Sequence, residues 1–330
     1  TECKMRSKTK VTLHKKTILE LIKHNISNDE VLEIFELNDG WFNTAYKIKF
    51  TNKFSCVLKV GPPIDSEIMS YEANMMEAEI ACMNLISENT LIPCPKILFS
   101  DLTRNVIPYQ FFFMEYIQGE TWANQKDKIS SQQNDSILKQ LGKITAVINS
   151  YKGEGFGYFN LDRKFDSWFD ALYWMCSLLF KDALKYKIDL PLEEADFLRL
   201  LEKFKFSLDE VKQPKLIHWD LSPANIFVRE NNSEYELTGV IDFERAIWGD
   251  PLMENILFDL NDINIPYFDG YNENLLETQN QKIRRLLYNM YLCLVMVIED
   301  GPRDYDDKGS VKWAYEELEK CFKILNAQGV

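Results

Sequence analysis

Three absences in the sequence of 330 residues limit the kind of protein that it can encode. The seven cysteines are odd in number and scattered, and no CxxC spacing occurs, so neither a zinc site nor a disulfide framework is indicated. The longest apolar stretch near the C-terminus, residues 291–298, is far too short to span a bilayer. The N-terminal segment through Lys16 is polar and basic and lacks the apolar core of a signal peptide. We therefore expect a protein of the reducing cytoplasm without a membrane partner.

Basic residues are in the minority, with 38 Lys and Arg against 51 Asp and Glu and a net charge of -13. This balance argues against general nucleic-acid binding, because the phosphate backbone attracts basic surfaces. An acidic surface would favour a cationic substrate, although it is equally ordinary in cytosolic proteins. The proportions of 46% apolar and 27% charged residues are those of a soluble globular protein, and the length is sufficient for two lobes with separate cores.

The most informative motif is HWDLSPAN at residues 218–225, which is followed 17 positions after its asparagine by Asp242 at the end of an apolar, strand-like run. Pro223 prevents a continuous helix between Asp220 and Asn225, so both side chains could face one phosphate group from a loop. Asp220 could then orient or deprotonate an acceptor hydroxyl, while Asn225 and Asp242 supply oxygen ligands to Mg²⁺. Together these residues predict a phosphoryl-transfer site of the kinase type.

The alternative is that His218 is an ordinary core residue and that the Asp and Asn residues only form turns. A chance match to His-x-Asp-x4-Asn is expected in about one chain of this length in a hundred. The additional Asp242, together with Gly-Asp-Pro at 249–251, makes an accidental match the weaker explanation. We interpret His218 as structural, with ring hydrogen bonds that hold the loop.

The first part of the chain predicts a small antiparallel sheet. Residues 31–37, 46–50 and 54–60 are strand-like and are joined by short turns, which is the pattern of a meander. The third strand carries Lys59. A lysine in a strand commonly faces solvent, but in a phosphotransferase it would contact the nucleotide phosphates and be held by a helix glutamate.

The helix predicted over residues 68–87 offers such a glutamate. Methionine and cysteine residues lie three and four positions on either side of Glu79 and share its helical face. An unpaired carboxylate within an apolar stripe would be costly. We therefore predict that Glu79 pairs with Lys59, with Glu77 and Glu72 as the alternatives.

Two further segments are candidate nucleotide contacts. The turn over residues 38–43, which ends at Asn43, would cover the phosphates, although its single glycine fits an ordinary hairpin equally well. Extended backbone from Glu115 to Ile117 could hydrogen-bond the edge of an adenine. The same segment could also be a plain linker between two lobes.

Beyond residue 117 the chain changes character. Almost everything except residues 214–242 reads as helix, with predicted helices at 134–150, 165–186, 193–211, 273–298 and 308–325. The sequence thus predicts an α+β fold with an N-terminal nucleotide-binding lobe over residues 1–117, hinge included. The predicted C-terminal lobe, residues 118–330, would carry the catalytic and substrate-binding residues, and a cleft would separate the two.

With these residues placed, the chain resembles the aminoglycoside phosphotransferase family of small-molecule kinases from about Ile34 to Asp259. The resemblance is most specific in LIHWDLSPANIFV and GVIDFERAIWGDP. It implies the protein-kinase-like two-lobe fold, with a small antiparallel-sheet lobe and a large, mostly helical lobe, and it implies Mg²⁺ and ATP or GTP. The implied roles are a catalytic carboxylate at Asp220, magnesium ligands at Asn225 and Asp242, a phosphate contact at Lys59 and purine contacts from Met114 to Ile117.

Some features depart from related patterns. Only seven residues separate Asp242 from Asp250 and no Ala-Pro-Glu occurs, which leaves no room for the long activation loop of a protein kinase. Trp219 stands where the family usually has Gly, Glu254 replaces the Asp common after Gly-Asp-Pro, and Asn149 takes a position often held by His.

The acceptor is the least determined part of the prediction. The aromatic residues Trp168 and Tyr173 could stack on a sugar or a cation, although an aromatic stripe at helical spacing is usually core. Glu244 and Glu254 are candidate acidic contacts to a polyamine. Further acidic candidates, which could equally be solvated surface charges, are Asp259, Asp304, Asp306 and Asp307.

We therefore expect a phosphotransferase that moves the γ-phosphate of ATP or GTP to a hydroxyl of an aminoglycoside or of a similar amino sugar or amino alcohol. A choline-type or fructosamine-type kinase is the nearest alternative. A catalytically silent nucleotide-binding module is the alternative from another class, although such a module would have no chemical need for Lys59, Asp220, Asn225 and Asp242 together.

Overall fold

A computed structural model describes residues 9–37, 40, 42–258, 266–273, 275–305 and 308–328. Half of the turn predicted to cover the phosphates lies outside these ranges, as do three of the acidic acceptor candidates, Asp259, Asp306 and Asp307.

A five-stranded antiparallel sheet forms the N-terminal part, in the order β1-β2-β3-β5-β4. Its strands are β1 (Val31–Leu37), β2 (Thr44–Phe50), β3 (Ser55–Val60), β4 (Ile97–Asp101) and β5 (Phe111–Glu115). In β2 buried and partly buried residues alternate, so Tyr46, Ile48 and Phe50 face one side and pack with helix α1 (Lys15–Asn25). The opposite face of the sheet carries Lys59, which therefore lies on the side away from α1.

Helix α2 (Met75–Ile86) begins later than predicted. Asn74 adopts a left-handed conformation with φ of 61°, which separates α2 from a short 3₁₀ turn at Ser70–Glu72. Asparagine tolerates this conformation better than most residues. Contacts with the C-terminal part hold the turn in place: Ser70 donates its backbone N–H to Asp182 at 2.8 Å. The sequence contains no local signal for such a distant partner.

The C-terminal part is mostly helical. Its helices are α3 (Trp122–Gln125), α4 (Ser131–Ile148), α5 (Trp168–Tyr186), α6 (Glu194–Lys203), α7 (Lys205–Leu208), α8 (Pro266–Tyr271), α9 (Gln279–Arg303) and α10 (Gly309–Ala327). Side-chain caps determine several starts: Ser130, Ser167 and Thr278 each accept a backbone N–H from the first turn of α4, α5 and α9. These caps explain why α5 and α9 begin after the predicted positions.

Two small sheets lie among these helices. Their strands are β6 (Glu120–Thr121), β7 (Gly157–Tyr158), β8 (Lys215–Ile217), β9 (Ile226–Asn231), β10 (Glu234–Val240) and β11 (Ile247–Gly249). The strands β9 and β10 form a hairpin next to β6, while β11 lies between β7 and β8. Strands of two or three residues such as β6, β7 and β11 are too short for their periodicity to be recognised in the sequence.

The predicted α+β class is confirmed, because an antiparallel sheet is followed by a mainly helical part. The boundary at residue 117 stays a prediction. In the part of the chain that the structure describes, none of the helices has the length and apolarity needed to cross a bilayer.

Candidate active site

The loop after β8 carries Asp220 and is held by His218. The backbone N–H of Asp220 donates to Nδ1 of His218 at 3.1 Å, and Nε2 lies 2.9 Å from the carbonyl oxygen of Ile241. Nδ1 is thus the acceptor, and the proton resides on Nε2. Burial lowers the pKa of His218 to about 4, so the ring is neutral near pH 7. The geometry agrees with the structural role predicted for this histidine.

Adjacent strands bring Asn225 and Asp242 together. Ile226 pairs with Val240 at the end of the β9–β10 hairpin, and the next N–H, that of Ile241, donates to the carbonyl of Asn225 at 3.1 Å. Asp242 follows with a left-handed backbone, φ 72°, which ends the strand. The Asn225 amide donates through Nδ2 to the Asp220 carbonyl at 3.0 Å, a bond that does not use its Oδ1. Asp220, Asn225 and Asp242 thus lie on adjoining segments of backbone.

Lys59 lies among three carboxylates. Its Nζ is 2.7 and 2.8 Å from the two oxygens of Glu79 and 3.3 Å from Glu244, and it also donates to Asp242. Burial disfavours the charged ammonium, but the three carboxylates outweigh this effect and raise the pKa of Lys59 well above its usual value. The predicted pairing of Lys59 with Glu79 is present, whereas the alternative partner Glu72 pairs with Arg303.

This cluster fits a divalent cation. Glu79, Asp242 and Glu244 each offer a carboxylate oxygen within 4.8 Å of the others, and oxygen ligands of this kind suit Mg²⁺. Three carboxylates face one ammonium, so the cluster carries excess negative charge when the carboxylates are ionised. Burial raises the pKa of Glu79 to about 8 even though Lys59 opposes the shift. Asn43 completes the group, because its Nδ2 donates to Glu244 at 2.6 Å.

Of the two acidic residues predicted as substrate contacts, the structure contradicts the prediction for Glu254. Glu244 is 7% exposed and belongs to the Lys59 cluster. Glu254 is fully buried and accepts the backbone N–H groups of His218 and Trp219, both at 3.0 Å, so it supports the catalytic loop from within the protein. Because Glu254 has no exposed surface, it cannot contact a solute. Asn149 also donates to Glu254, at 3.3 Å.

The two aromatic candidates differ in burial. Trp168 is fully buried and donates to the hydroxyl of Tyr288 at 2.7 Å, so it is a core residue and not a substrate contact. Tyr173 is partly exposed on α5 and lines a groove of about 680 Å³ together with Phe169 and Trp174. Neither Asp220 nor a residue hydrogen-bonded to it lines this groove.

The backbone and the packing of Trp219 explain why a tryptophan can stand where the family usually has glycine. Its φ of 63° is left-handed, a conformation that glycine adopts at the least cost. The ring is 2% exposed and packs between Tyr71 and Tyr291, with centroid separations of 6.2 and 5.4 Å. Burial of the indole therefore offsets the backbone strain.

The predicted purine contacts lie where β5 leaves the sheet. Met114 pairs with Val57 of β3, and the N–H of Glu115 donates to the carbonyl of Lys96 at 3.0 Å. Among the described residues, the backbone N–H of Ile117 has no hydrogen-bond partner. Sequence reasoning overlooked Lys47, whose Nζ lies 3.6 Å from the centroid of the neighbouring Tyr116 ring.

Sequence reasoning also overlooked a buried charge network beside the catalytic loop. Arg245 forms an ion pair of 2.7 Å with Glu299 of α9, and Arg303 pairs with Glu72. Arg245 follows Glu244 in the motif, so proximity in the sequence could have suggested it. Glu299 and Arg303 lie more than fifty positions further along the chain and carry no local signal.

Sequence reasoning also missed Asn255, which contacts the side chain of Asp220. Its Nδ2 donates to Oδ1 of the Asp220 carboxylate at 3.2 Å. It follows Glu254 directly, so two consecutive side chains contact the catalytic loop.

Residues 33–279 match the family model described as the phosphotransferase enzyme family, APH. The chain belongs to this family. The sequence motifs predicted membership of this phosphotransferase family.

Solved structures share the fold at low sequence identity. The ternary complex of a thermostable mutant of aminoglycoside phosphotransferase APH(4)-Ia with AMP-PNP and hygromycin B is 16% identical, with a TM-score of 0.65 over 94% of this chain and 99% of that chain. A presumed fructosamine-3-kinase from Thermobifida fusca YX-ER1 is 15% identical, with a TM-score of 0.64 over 92% of this chain and 98% of that chain. These likenesses confirm the protein-kinase-like fold.

Curated relatives match a shorter region. Altered inheritance of mitochondria protein 9, mitochondrial, of Meyerozyma guilliermondii is 23% identical over 166 residues, which is 46% of this chain and 27% of that protein. Its Saccharomyces cerevisiae counterpart is 26% identical over 145 residues, 41% of this chain and 23% of that protein. The match thus spans about a quarter of the length of these relatives.

Proposed function

We propose that this protein transfers the γ-phosphate of ATP or GTP to a hydroxyl of an aminoglycoside or of a similar amino sugar or amino alcohol. The observation that carries the proposal is the convergence of Asp220, Asn225 and Asp242 beside the buried Lys59–Glu79 pair. These groups supply the base, the metal ligands and the phosphate contact that phosphoryl transfer requires.

The nucleotide would lie beneath the five-stranded sheet. Its purine would meet the segment from Met114 to Ile117, where the N–H of Ile117 offers a donor to a ring nitrogen. Its phosphates would meet Lys59 and Asn43. Lys59 is held in place by Glu79, so its ammonium is oriented before the nucleotide arrives.

Asn225 and Asp242 would hold Mg²⁺. The carboxylates of Glu79 and Glu244 lie close to that of Asp242 and would add negative charge near the ion. The ion, when bound, neutralises charge on the phosphate oxygens. Lys59, which donates to Asp242, would be available to contact the phosphates when Asp242 serves as a ligand of the ion.

Asp220 would accept a hydrogen bond from the acceptor hydroxyl and take its proton as the bond from that oxygen to the γ-phosphorus forms. The bond from the γ-phosphorus to the bridging β–γ oxygen would break in the same transfer, and ADP or GDP would leave. The Asp220 carboxyl is buried in the loop, which raises its pKa, while Arg245 opposes that shift. His218 and Glu254 contribute by holding the loop backbone and do not touch the reacting atoms.

Two observations support an amino-sugar acceptor. The net charge of -13 favours cationic ligands, and proteins of the same fold have been solved with hygromycin B and with kanamycin. The likeness to a presumed fructosamine-3-kinase supports a ketosamine acceptor as the second candidate.

Solved neighbours with AMP-PNP and with GDP support both adenine and guanine nucleotides as donors. We retain the cytoplasm as the proposed compartment, although the curated relatives are named as mitochondrial.

The test is a panel of aminoglycosides, ketosamines, choline and simple sugars, assayed with γ-labelled ATP and GTP and Mg²⁺ for transfer of label to the acceptor. We expect transfer to an amino sugar, loss of transfer in Asp220→Ala, and unchanged nucleotide binding in that variant. Tight nucleotide binding without transfer to any hydroxyl compound would instead support the silent module. Transfer to choline or a ketosamine alone would replace the amino-sugar proposal with the corresponding alternative.

A further inference from the structure

We propose that Asn255 is a positioning residue for Asp220: its amide holds one carboxylate oxygen and so presents the other to the acceptor hydroxyl. This inference rests on the proposed function. The observation behind it is the hydrogen bond of 3.2 Å from Asn255 Nδ2 to Asp220 Oδ1.

The direction of the Asn255 amide follows from its partner. An ionised carboxylate only accepts hydrogen bonds, so the amide must turn its NH₂ group towards Asp220. The opposite orientation would place the amide oxygen against the carboxylate oxygen. Oδ1 of Asn255 is buried and has no partner among the described residues, so no competing contact there determines the orientation.

The neighbouring residue makes the arrangement more rigid. Glu254 accepts the backbone N–H groups of His218 and Trp219, while Asn255 donates a hydrogen bond to the side chain of Asp220. Three consecutive loop residues are thus contacted by two consecutive residues that follow Gly-Asp-Pro. Glu254 fixes where the loop backbone lies, and Asn255 fixes how the reacting carboxylate is turned.

The chemical benefit is specific to the transfer step. A carboxylate at the end of a side chain rotates readily about its terminal bond, because this torsion has a broad energy profile. One charge-assisted hydrogen bond to Oδ1 limits that rotation and leaves Oδ2 as the acceptor for the substrate hydroxyl. Asn255 itself exchanges no proton with the substrate.

The variants Asn255→Leu and Asn255→His separate this role from a packing role. Leucine has a similar size and no donor, whereas the histidine ring can place a nitrogen near the position of Nδ2. With Mg²⁺, ATP and the acceptor that the panel identifies, we expect kcat of Asn255→Leu to fall about 10- to 100-fold, the range for a lost hydrogen bond to a charged group. KM for both substrates should remain within about threefold. Asn255→His should recover most of kcat.

Glu254→Gln provides the matched control at the adjacent position. It acts on the loop backbone, so its main effect should be a lower midpoint of thermal unfolding, while Asn255→Leu should unfold close to the wild-type temperature. An equal loss of kcat in Asn255→Leu and Asn255→His, or a change confined to KM, would overturn the proposal.

A crystallographic measurement keeps the inference testable without turnover. In the wild type and in Asn255→His, Oδ1 of Asp220 should be within hydrogen-bond distance of residue 255, and in Asn255→Leu the carboxylate should rotate or occupy two orientations. A single, unrotated carboxylate in Asn255→Leu would contradict the inference. Absence of phosphate transfer in the wild type would refute the proposed function instead, and this diffraction result would still decide the role of Asn255.

Discussion

The carboxylate of Glu254 accepts the backbone N–H of Trp219 at 3.0 Å and thereby connects the Gly-Asp-Pro segment to the catalytic loop across 35 positions of sequence. The second oxygen accepts the N–H of His218. In Glu254→Gln the amide oxygen could still accept one of these two backbone N–H groups, but the amide NH₂ would face the other N–H and could not accept from it. We expect Glu254→Gln to lower the free energy of unfolding by about 1–3 kcal/mol, measured by urea denaturation at pH 7.5. An unchanged stability would show that the two hydrogen bonds do not matter.

The same carboxyl predicts a pH dependence of stability. Burial raises the pKa of Glu254 to about 7 from its ordinary value of 4.5, while its hydrogen bonds oppose the shift. The folded state therefore binds a proton more tightly than the unfolded state. Proton binding to Glu254 therefore stabilises the folded state fully below pH 4.5, and this stabilisation is lost as the pH rises through about 7. The stability difference between wild type and Glu254→Gln should thus become less favourable to the wild type between pH 5 and 7.5, and a constant difference would contradict this expectation.

His218 should show the opposite dependence. Burial lowers its pKa to about 4 from 6.5, so its contribution to stability is present above pH 6.5 and is lost as the pH falls through 4. His218→Gln should flatten the acid limb of the stability curve. The substitution should also lower the free energy of unfolding at pH 7 by about 1–3 kcal/mol, because the N–H of Asp220 and the carbonyl of Ile241 lose the imidazole ring as their hydrogen-bond partner. Denaturation of both proteins from pH 4 to 7 tests both effects, and parallel curves would rule out titration of this ring.

Lys59→Met removes the ammonium from a buried cluster of carboxylates. We expect a loss of about 3–5 kcal/mol of stability, because the remaining charges are buried without a cation, and a large loss of nucleotide affinity by calorimetry. Lys49→Met is the matched control, since Lys49 lies in β2 and pairs with Glu33 at an exposed site. That change should cost no more than about 1 kcal/mol. Similar effects of the two substitutions would argue against a special role for the Lys59 cluster.

Trp219→Gly and Trp219→Ala separate ring burial from backbone strain. Loss of the buried indole should destabilise both variants by about 3–5 kcal/mol before backbone effects are considered. Glycine accepts the left-handed φ of 63° without strain, so Trp219→Gly should be the more stable variant by about 1 kcal/mol. Thermal unfolding measures the difference, and a more stable alanine variant would contradict the explanation given for this position.

The sequence allowed most of the candidate site to be predicted because its residues are separated by short intervals. Asp220 and Asn225 belong to one loop, Asp242 follows the second strand of the next hairpin, and hydrogen bonding between the strands brings these ends together. The pairing of Glu79 with Lys59 followed from the cost of an unpaired carboxylate on an apolar helix face. The roles of these residues in nucleotide and metal binding remain proposals.

Acceptor contacts could not be predicted in the same way. Trp168 and Glu254 have the composition of ligand-binding residues, but both are fully buried. A glutamate that supports a loop and a glutamate that binds a polyamine are identical in sequence, and only the packing of distant segments distinguishes them.

Local sequence alone determined the first three strands of the five-stranded sheet and the loop that bears Asp220, because backbone preferences and short spacings act over a few residues. Tertiary structure alone decided that Glu254 and Asn255 face the catalytic loop and that Glu299 meets Arg245. These contacts join segments more than thirty positions apart, and their free energy arises only when folding removes the charged groups from water.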